Sequence, residues 1–215
     1  LDALRKLSHK AGPLHATVGV PTITPTAVVL EGWRGADWTQ VADRRILQMM
    51  SQVLSSRLRV QVREERGLTY TPFAYSQPGE AYPGTGLFAI TFTADPNETA
   101  SAGDFALDVA RKLAKEGPTE EELSTVRKQF TTSIETSQKE PAYWVAVMAD
   151  MDYHGTVLDD VKNALEEYGS YTREQMMDVL ARFITPERSL QVLAVPSQLP
   201  PAKSGEDEAK GGVEQ

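Results

Sequence analysis

Apolar positions along the chain change their period several times, and each change marks an element. In His15–Val20 they alternate with polar ones, and in Ala27–Trp33 (AVVLEGW) they run almost unbroken. Both patterns predict strands. Asp37 and Gln40 have the spacing of a capping box. Behind them Ala42, Ile46, Met49, Met50, Val53 and Leu54 recur at helical intervals, which predicts a long helix from about Trp38 to past Leu58. Thr69–Gln77 reads as a further strand. The turn-rich PGEAYPGTG follows, and then GLFAITFTA, where Phe88, Ile90 and Phe92 share one face. Two strands joined by about ten residues predict an antiparallel pair.

The second half is patterned for helices. Ala102, Phe105, Val109 and Leu113 form a stripe that stops at Gly117-Pro118. Thr119 with Glu122 makes another capping box, ahead of Leu123, Val126, Phe130 and Ile134. Pro141 opens another helix, Val157–Tyr168 and Arg173–Phe183 two more, and Ser189–Val195 a last strand. The order predicts an α+β domain of two layers, with helices covering a mainly antiparallel sheet. That domain is expected over residues 13–196. Residues 1–12, with Leu1, Leu4 and Leu7 on one helical face, read as a linker or short helix. Residues 197–215 hold too few large apolar groups to offset their ordering entropy and read as a disordered tail.

Composition narrows the chemistry. Across 215 residues, 22 Lys+Arg stand against 30 Asp+Glu, a net charge of −8. That balance argues against a nucleic-acid partner, which needs cations for phosphates. No apolar run is long enough to predict a membrane span. The absence of cysteine removes thiol catalysis, disulfides and thiolate metal ligands together. The start at Leu1, without a signal peptide, fits a processed chain or a piece of a longer one.

The histidines, His9, His15 and His154, have no spacing that would put two ligands on one helix face, so no metal site is expected in this chain. Nucleophile elbows and phosphate loops are missing, and Gly84-Thr85-Gly86 lacks the third glycine of a dinucleotide site. Paired acids such as Glu64-Glu65 and Glu166-Glu167 fit solvated helix faces, because consecutive helix positions point apart. One segment differs. Ser55–Tyr75 is rich in arginine (Arg57, Arg59, Arg63, Arg66), and there a predicted helix gives way to a strand near Tyr70. A guanidinium and a phenol converging at such a junction could both donate to a peptide carbonyl. On spacing alone, cations complementing a helix dipole, with Gly67 as cap, are the stronger reading.

The runs Leu54-Ser55-Ser56-Arg57-Leu58 and Arg63-Glu64-Glu65-Arg66-Gly67-Leu68-Thr69-Tyr70 resemble the signature of the C-terminal, non-catalytic domains of pitrilysin/insulinase-family zinc metallopeptidases, which include the mitochondrial processing peptidase and bacterial relatives. Pro118–Leu123 resembles the helix start of those domains, and the order of elements agrees. The resemblance implies one α+β unit of a clamp that closes on a peptide, which could be held as an added strand on an exposed edge, with the Phe88–Phe92 strand a candidate for that edge. Zinc would lie on a partner domain or subunit carrying an inverted H-x-x-E-H motif, which is absent here. It also implies that Arg63 and Tyr70 match an arginine–tyrosine pair that contacts the substrate carbonyl, and that the compartment is the periplasm. In place of the glycine-rich stretch that often precedes the Ser-Ser-Arg-Leu run, this chain has Met49-Met50-Ser51-Gln52-Val53, closer to the large four-domain bacterial proteases. The implied role is a substrate-binding domain without catalytic residues or cofactor of its own. A non-proteolytic structural or interaction subunit of the same fold, and an unrelated α+β interaction domain, are the alternatives.

Overall fold

The computed structural model of the chain describes residues 10–61 and 72–197, together with Leu7. Its strands are β1 (Leu14–Val20), β2 (Ala27–Gly35), β3 (Phe73–Gln77), β4 (Gly86–Ala94) and β5 (Ser189–Pro196). The helices are α1 (Val41–Gln61), α2 (Thr99–Glu116), α3 (Glu120–Ser137), α4 (Pro141–His154), α5 (Leu158–Lys162), α6 (Ala164–Ser170) and α7 (Arg173–Phe183). Among the described residues the strands form one sheet in the order β1-β5-β2-β4-β3. β1 and β5 run parallel, and the other pairings are antiparallel, as the pattern predicts.

Period-two alternation decides which face is covered. Ala27, Val29 and Trp33 of β2 stand opposite Ala94, Phe92 and Phe88 of β4, and all six are buried. Onto this face α1 brings Leu47, Met50, Leu54 and Leu58, each fully buried, while α2 adds Ala110 and Leu113 and α7 adds Met176 and Leu180. Removing a leucine side chain from water contributes roughly 1.5–3 kcal/mol, so these helical stripes dominate the attachment of helices to sheet. Met49 and Met50, at the position of the expected glycine-rich stretch, have no exposed surface and fill the core.

Four expectations change. The Phe88–Phe92 strand, a candidate exposed edge, is internal: β4 pairs with β2 along one side and β3 along the other, and the edges are β1 and β3. The long helix begins at Val41, not near Trp38, because Asp37 and Gln40 make half a capping box. The Gln40 side chain accepts from the Asp37 N–H at 3.1 Å, but the Asp37 carboxylate is taken by Thr39 and by the N–H of Gly84 at 3.0 Å. The strand expected at Thr69–Gln77 is described only as Phe73–Gln77, its first residues lying outside the described ones. Finally, Val157–Tyr168 is two helices. In an unbroken helix the carbonyls of Asp160 and Val161 would receive the N–H groups of Ala164 and Leu165. Instead Arg45 donates to the Asp160 carbonyl and Gln138 to that of Val161, and the helix breaks at Asn163. The tail from residue 198 and most of the N-terminal linker lie outside the described residues.

The covered face of the sheet also buries a carboxyl. Glu31, on the covered face of β2, is 1% exposed and accepts from Gln191 Nε2 at 2.6 Å. Gly103 in α2 makes room for it, since a Cβ there would lie 2.5 Å from Glu31 Oε1. Burial pushes the Glu31 carboxyl above its ordinary value, and Asp104 pushes the same way, against the Gln191 hydrogen bond and the weaker pull of His15 and Arg111. A carboxyl raised in the folded state favours folding most at acid pH, and the folded state loses ground as pH rises through the raised value. Glu31→Gln should therefore raise the melting temperature at neutral pH relative to wild type, with the gain vanishing at pH 4. A gain independent of pH would refute the assignment.

Candidate functional site

Arg63 and Tyr70 lie in residues 62–71, outside the described residues. What is described is the pair of ends that hold this segment, and each is fixed by a residue of the Leu54–Leu58 run. At one end Leu58 is fully buried in the core. At the other, β3 is tied back to α1 by Ser55, whose hydroxyl accepts from the Ala74 N–H at 2.7 Å and donates to the Ala74 carbonyl at 3.1 Å. Ser55 is itself buried, so this two-way bond is shielded from water.

Arg57 fixes the same helix end to α3. Its Nε and Nη2 each meet a Glu122 carboxylate oxygen at 2.7 Å, and Nη2 also reaches the Gly117 carbonyl at 2.9 Å. Glu122 is simultaneously the third residue of the α3 capping box, its carboxylate receiving the Thr119 N–H at 2.7 Å while the Thr119 hydroxyl receives the Glu122 N–H. Gly117 turns the chain into this box at a φ of 74°, where a Cβ would strike the Met177 side chain at 2.8 Å. The capping spacing is visible in the sequence. The link from Arg57 to it, across 65 residues, has no local signal, although both runs carry the family resemblance.

The face of the sheet turned away from α1, α2 and α7 includes alternate residues of β3. Cross-strand partners place Tyr75, Ala89, Gly32, Leu190 and Leu14 in one row, and Phe73, Thr91, Leu30, Val192 and Ala16 in the next. Phe73 is 51% exposed, and its ring lies 5.9 Å from that of Tyr75. The two aromatics thus stand on an edge strand, Tyr75 beside the small side chain of Ala89. Such a face offers an apolar contact surface to an extended segment. Among the described residues no group of three or more His, Asp or Glu could hold a metal ion, so they do not fit a zinc centre. None of the described helices is long and apolar enough to cross a membrane.

A five-stranded sheet with α1, α2 and α7 packed on one face defines a two-layer α+β domain. The chain belongs to the peptidase M16 inactive-domain family, whose profile matches residues 11–130, more than half of it. That excludes the unrelated α+β domain. Similar solved structures include the peptidase M16 inactive domain from Pseudomonas fluorescens, with a TM-score of 0.74 and 22% identity over 88% of this chain and 45% of that one. The periplasmic protease PqqL from Escherichia coli gives a TM-score of 0.71 and 18% identity over 86% of this chain and 21% of that one. The ferredoxin protease FusC, in complex with Arabidopsis ferredoxin, gives 0.70 and 16% over 87% and 21%. This chain therefore spans under half of the first and about a fifth of the other two. No curated protein matches the sequence.

The Arg57 clamp makes a measurable demand. Burial pushes Glu122 up, but the Arg57 and Thr119 hydrogen bonds outweigh it and hold the carboxyl below its ordinary value. The stabilisation is complete above the ordinary glutamate range and is lost as pH falls through the lowered value. Arg57→Ala should cost about 2 kcal/mol in urea unfolding at pH 7, the scale of a partly buried, charge-assisted pair. The cost should shrink in acid, and Arg59→Ala, at an exposed position of the same helix, should be near neutral. Equal losses in the two variants would remove Arg57 from this role.

Proposed function

We propose that residues 13–196 are the substrate-binding, non-catalytic domain of a zinc metalloendopeptidase, with residues 1–12 as linker and 197–215 as a disordered tail. In this reading zinc is held by a partner domain or subunit and supplies the Lewis acid for peptide hydrolysis. This chain contributes Arg63 and Tyr70, donors to the substrate carbonyl. The supporting observation is that Ser55 and Arg57, from the same signature run, anchor the described ends of the segment that carries this pair. Donors to a reacting carbonyl must be held in place before the reaction, and fixed flanking elements are a condition for that. The sheet face opposite α1, α2 and α7 gives a bound peptide a surface to lie on. The periplasmic setting of the Escherichia coli relative extends to this chain in the same proposal.

A non-proteolytic subunit of the same fold would need the Ser55 and Arg57 anchors but neither Arg63 nor Tyr70, and that difference supplies the test. In the complete protease, Tyr70→Phe should lower kcat by roughly a hundred- to a thousandfold, the usual loss on removing one oxyanion donor, with KM little changed. Unchanged turnover would reduce Tyr70 to packing and favour the structural subunit. The purified 215-residue chain should also take up no stoichiometric zinc in metal analysis, and one zinc per chain would overturn the division of labour.

A further inference from the structure

A second concavity lies in the helical layer, and no strand residue lines it. It has a volume of about 370 Å³ and opens between the start of α1 and the inner face of α4. Tyr143, Val147 and Met151 of α4 form one wall, and Val161, Ala164 and Tyr168 the opposite one. The floor is different in kind. Trp38 lies between His154, stacked on it at 4.0 Å, and the Arg44 guanidinium, 4.0 Å from its ring centroid. Its indole N–H donates to Thr156 at 2.9 Å, so the ring is locked.

The two arginines at this floor are in unequal states. Arg45 donates to the Glu167 carboxylate and to the Asp160 carbonyl. Arg44 lines the cavity and lies over Trp38 with no ion pair among the described residues, and its Nε, like that of Arg127, is buried without a hydrogen-bond partner. The Tyr168 hydroxyl is committed to Gln48 at 2.9 Å, and burial pushes that phenol up to about 12, so it remains neutral. Burial and the neighbouring Arg45 also press against the Arg44 charge, with weaker relief from Tyr168 and Asp160. A buried donor left unpaired in a charged group is uncommon and calls for an explanation.

We propose that this cavity binds an organic monocarboxylate with an aromatic or branched apolar body, its carboxylate on Arg44 and its body between the α4 wall and Tyr168. The size is that of a small-molecule site, with mostly apolar walls and few polar groups. A planar guanidinium suits a carboxylate in particular. A phosphate dianion fits less well, because its second charge would be buried against apolar walls with no further free cation at the floor. The same chemistry is presented by a free acid and by the C-terminal residue of a polypeptide.

Calorimetric titration of the 215-residue chain separates the sources, with 2-naphthoate against 2-naphthamide and Ala-Ala-Phe free acid against its C-terminal amide. One acid or both should bind, and a binding acid should exceed its neutral partner by roughly ten- to a hundredfold, the scale of a hydrogen bond to a charged group. Binding by naphthoate alone identifies small acids, and binding by the peptide acid identifies chain termini; each supports the site. Arg44→Met should abolish the preference for acid over amide. Ala146→Trp, which fills the cavity and leaves both arginines intact, should abolish binding while circular dichroism shows the fold retained. Equal binding of acids and amides, no binding by either acid at millimolar concentration, or binding indifferent to Ala146→Trp would each overturn the proposal.

Discussion

The last two turns of α1 are held from two sides, and the geometry of the site depends on that double attachment. Toward the sheet, the Ser55 hydroxyl replaces the strand neighbour that β3 lacks at Ala74, satisfying both its N–H and its carbonyl. Toward the helices, Arg57 closes the α3 cap. Hydrophobic burial of Leu54 and Leu58 sets how closely the helix approaches but leaves it free to slide, since dispersion and desolvation have little direction. The two directional contacts fix its position along and about its axis. The chain that leaves α1 after Gln61 and returns at Phe73 therefore starts and ends in set places.

The sheet shows the same economy on its two faces. One is filled by large side chains beneath α1, α2 and α7. The other mixes Thr91, Thr93 and Arg34 with exposed Val18, Val28 and Phe73. Parallel strands usually need cover on both sides, and antiparallel ones do not. This sheet places its parallel pair, β1 and β5, at one edge and its aromatic pair at the other. An open face of this composition suits intermittent contact with a second surface better than permanent burial.

Local pattern carried most of the fold. Elements with a single strong periodicity, such as β4 or α7, and those opened by a complete box, such as α3 at Thr119, were legible nearly to the residue. Where the sequence misled, a distant partner had taken a local group. Asp37 has the chemistry of a cap, but Gly84 and Thr39 claim its carboxylate. Val157–Tyr168 reads as one helix, but Arg45 claims a carbonyl in its middle. The internal position of β4 was equally unreadable, because strand order depends on pairing and not on the strand's own residues. For the site, family resemblance singled out Arg63 and Tyr70, whereas the anchors Ser55 and Arg57 gained their roles only once Ala74 and Glu122 stood beside them.

These cases share one device. The chain has no cysteine, and its described residues form no metal cluster. Arginine does the cross-linking between irregular stretches of backbone. Arg57 donates to the Gly117 carbonyl, Arg45 to Asp160, Arg127 to Tyr171, Arg173 to Pro118, and Arg34 and Arg188 secure the turn before β5. Carbonyls at helix ends lack intrahelical donors, and a forked guanidinium can serve one of them while pairing with a carboxylate. An excess of acids supplies those carboxylates, which is how an acidic chain accommodates half-buried cations. Arg44 and Arg127 each keep a buried Nε without a partner, but Arg127 also serves the Tyr171 carbonyl, whereas Arg44 lines a cavity. The Arg44 position beside a cavity supports a role in binding.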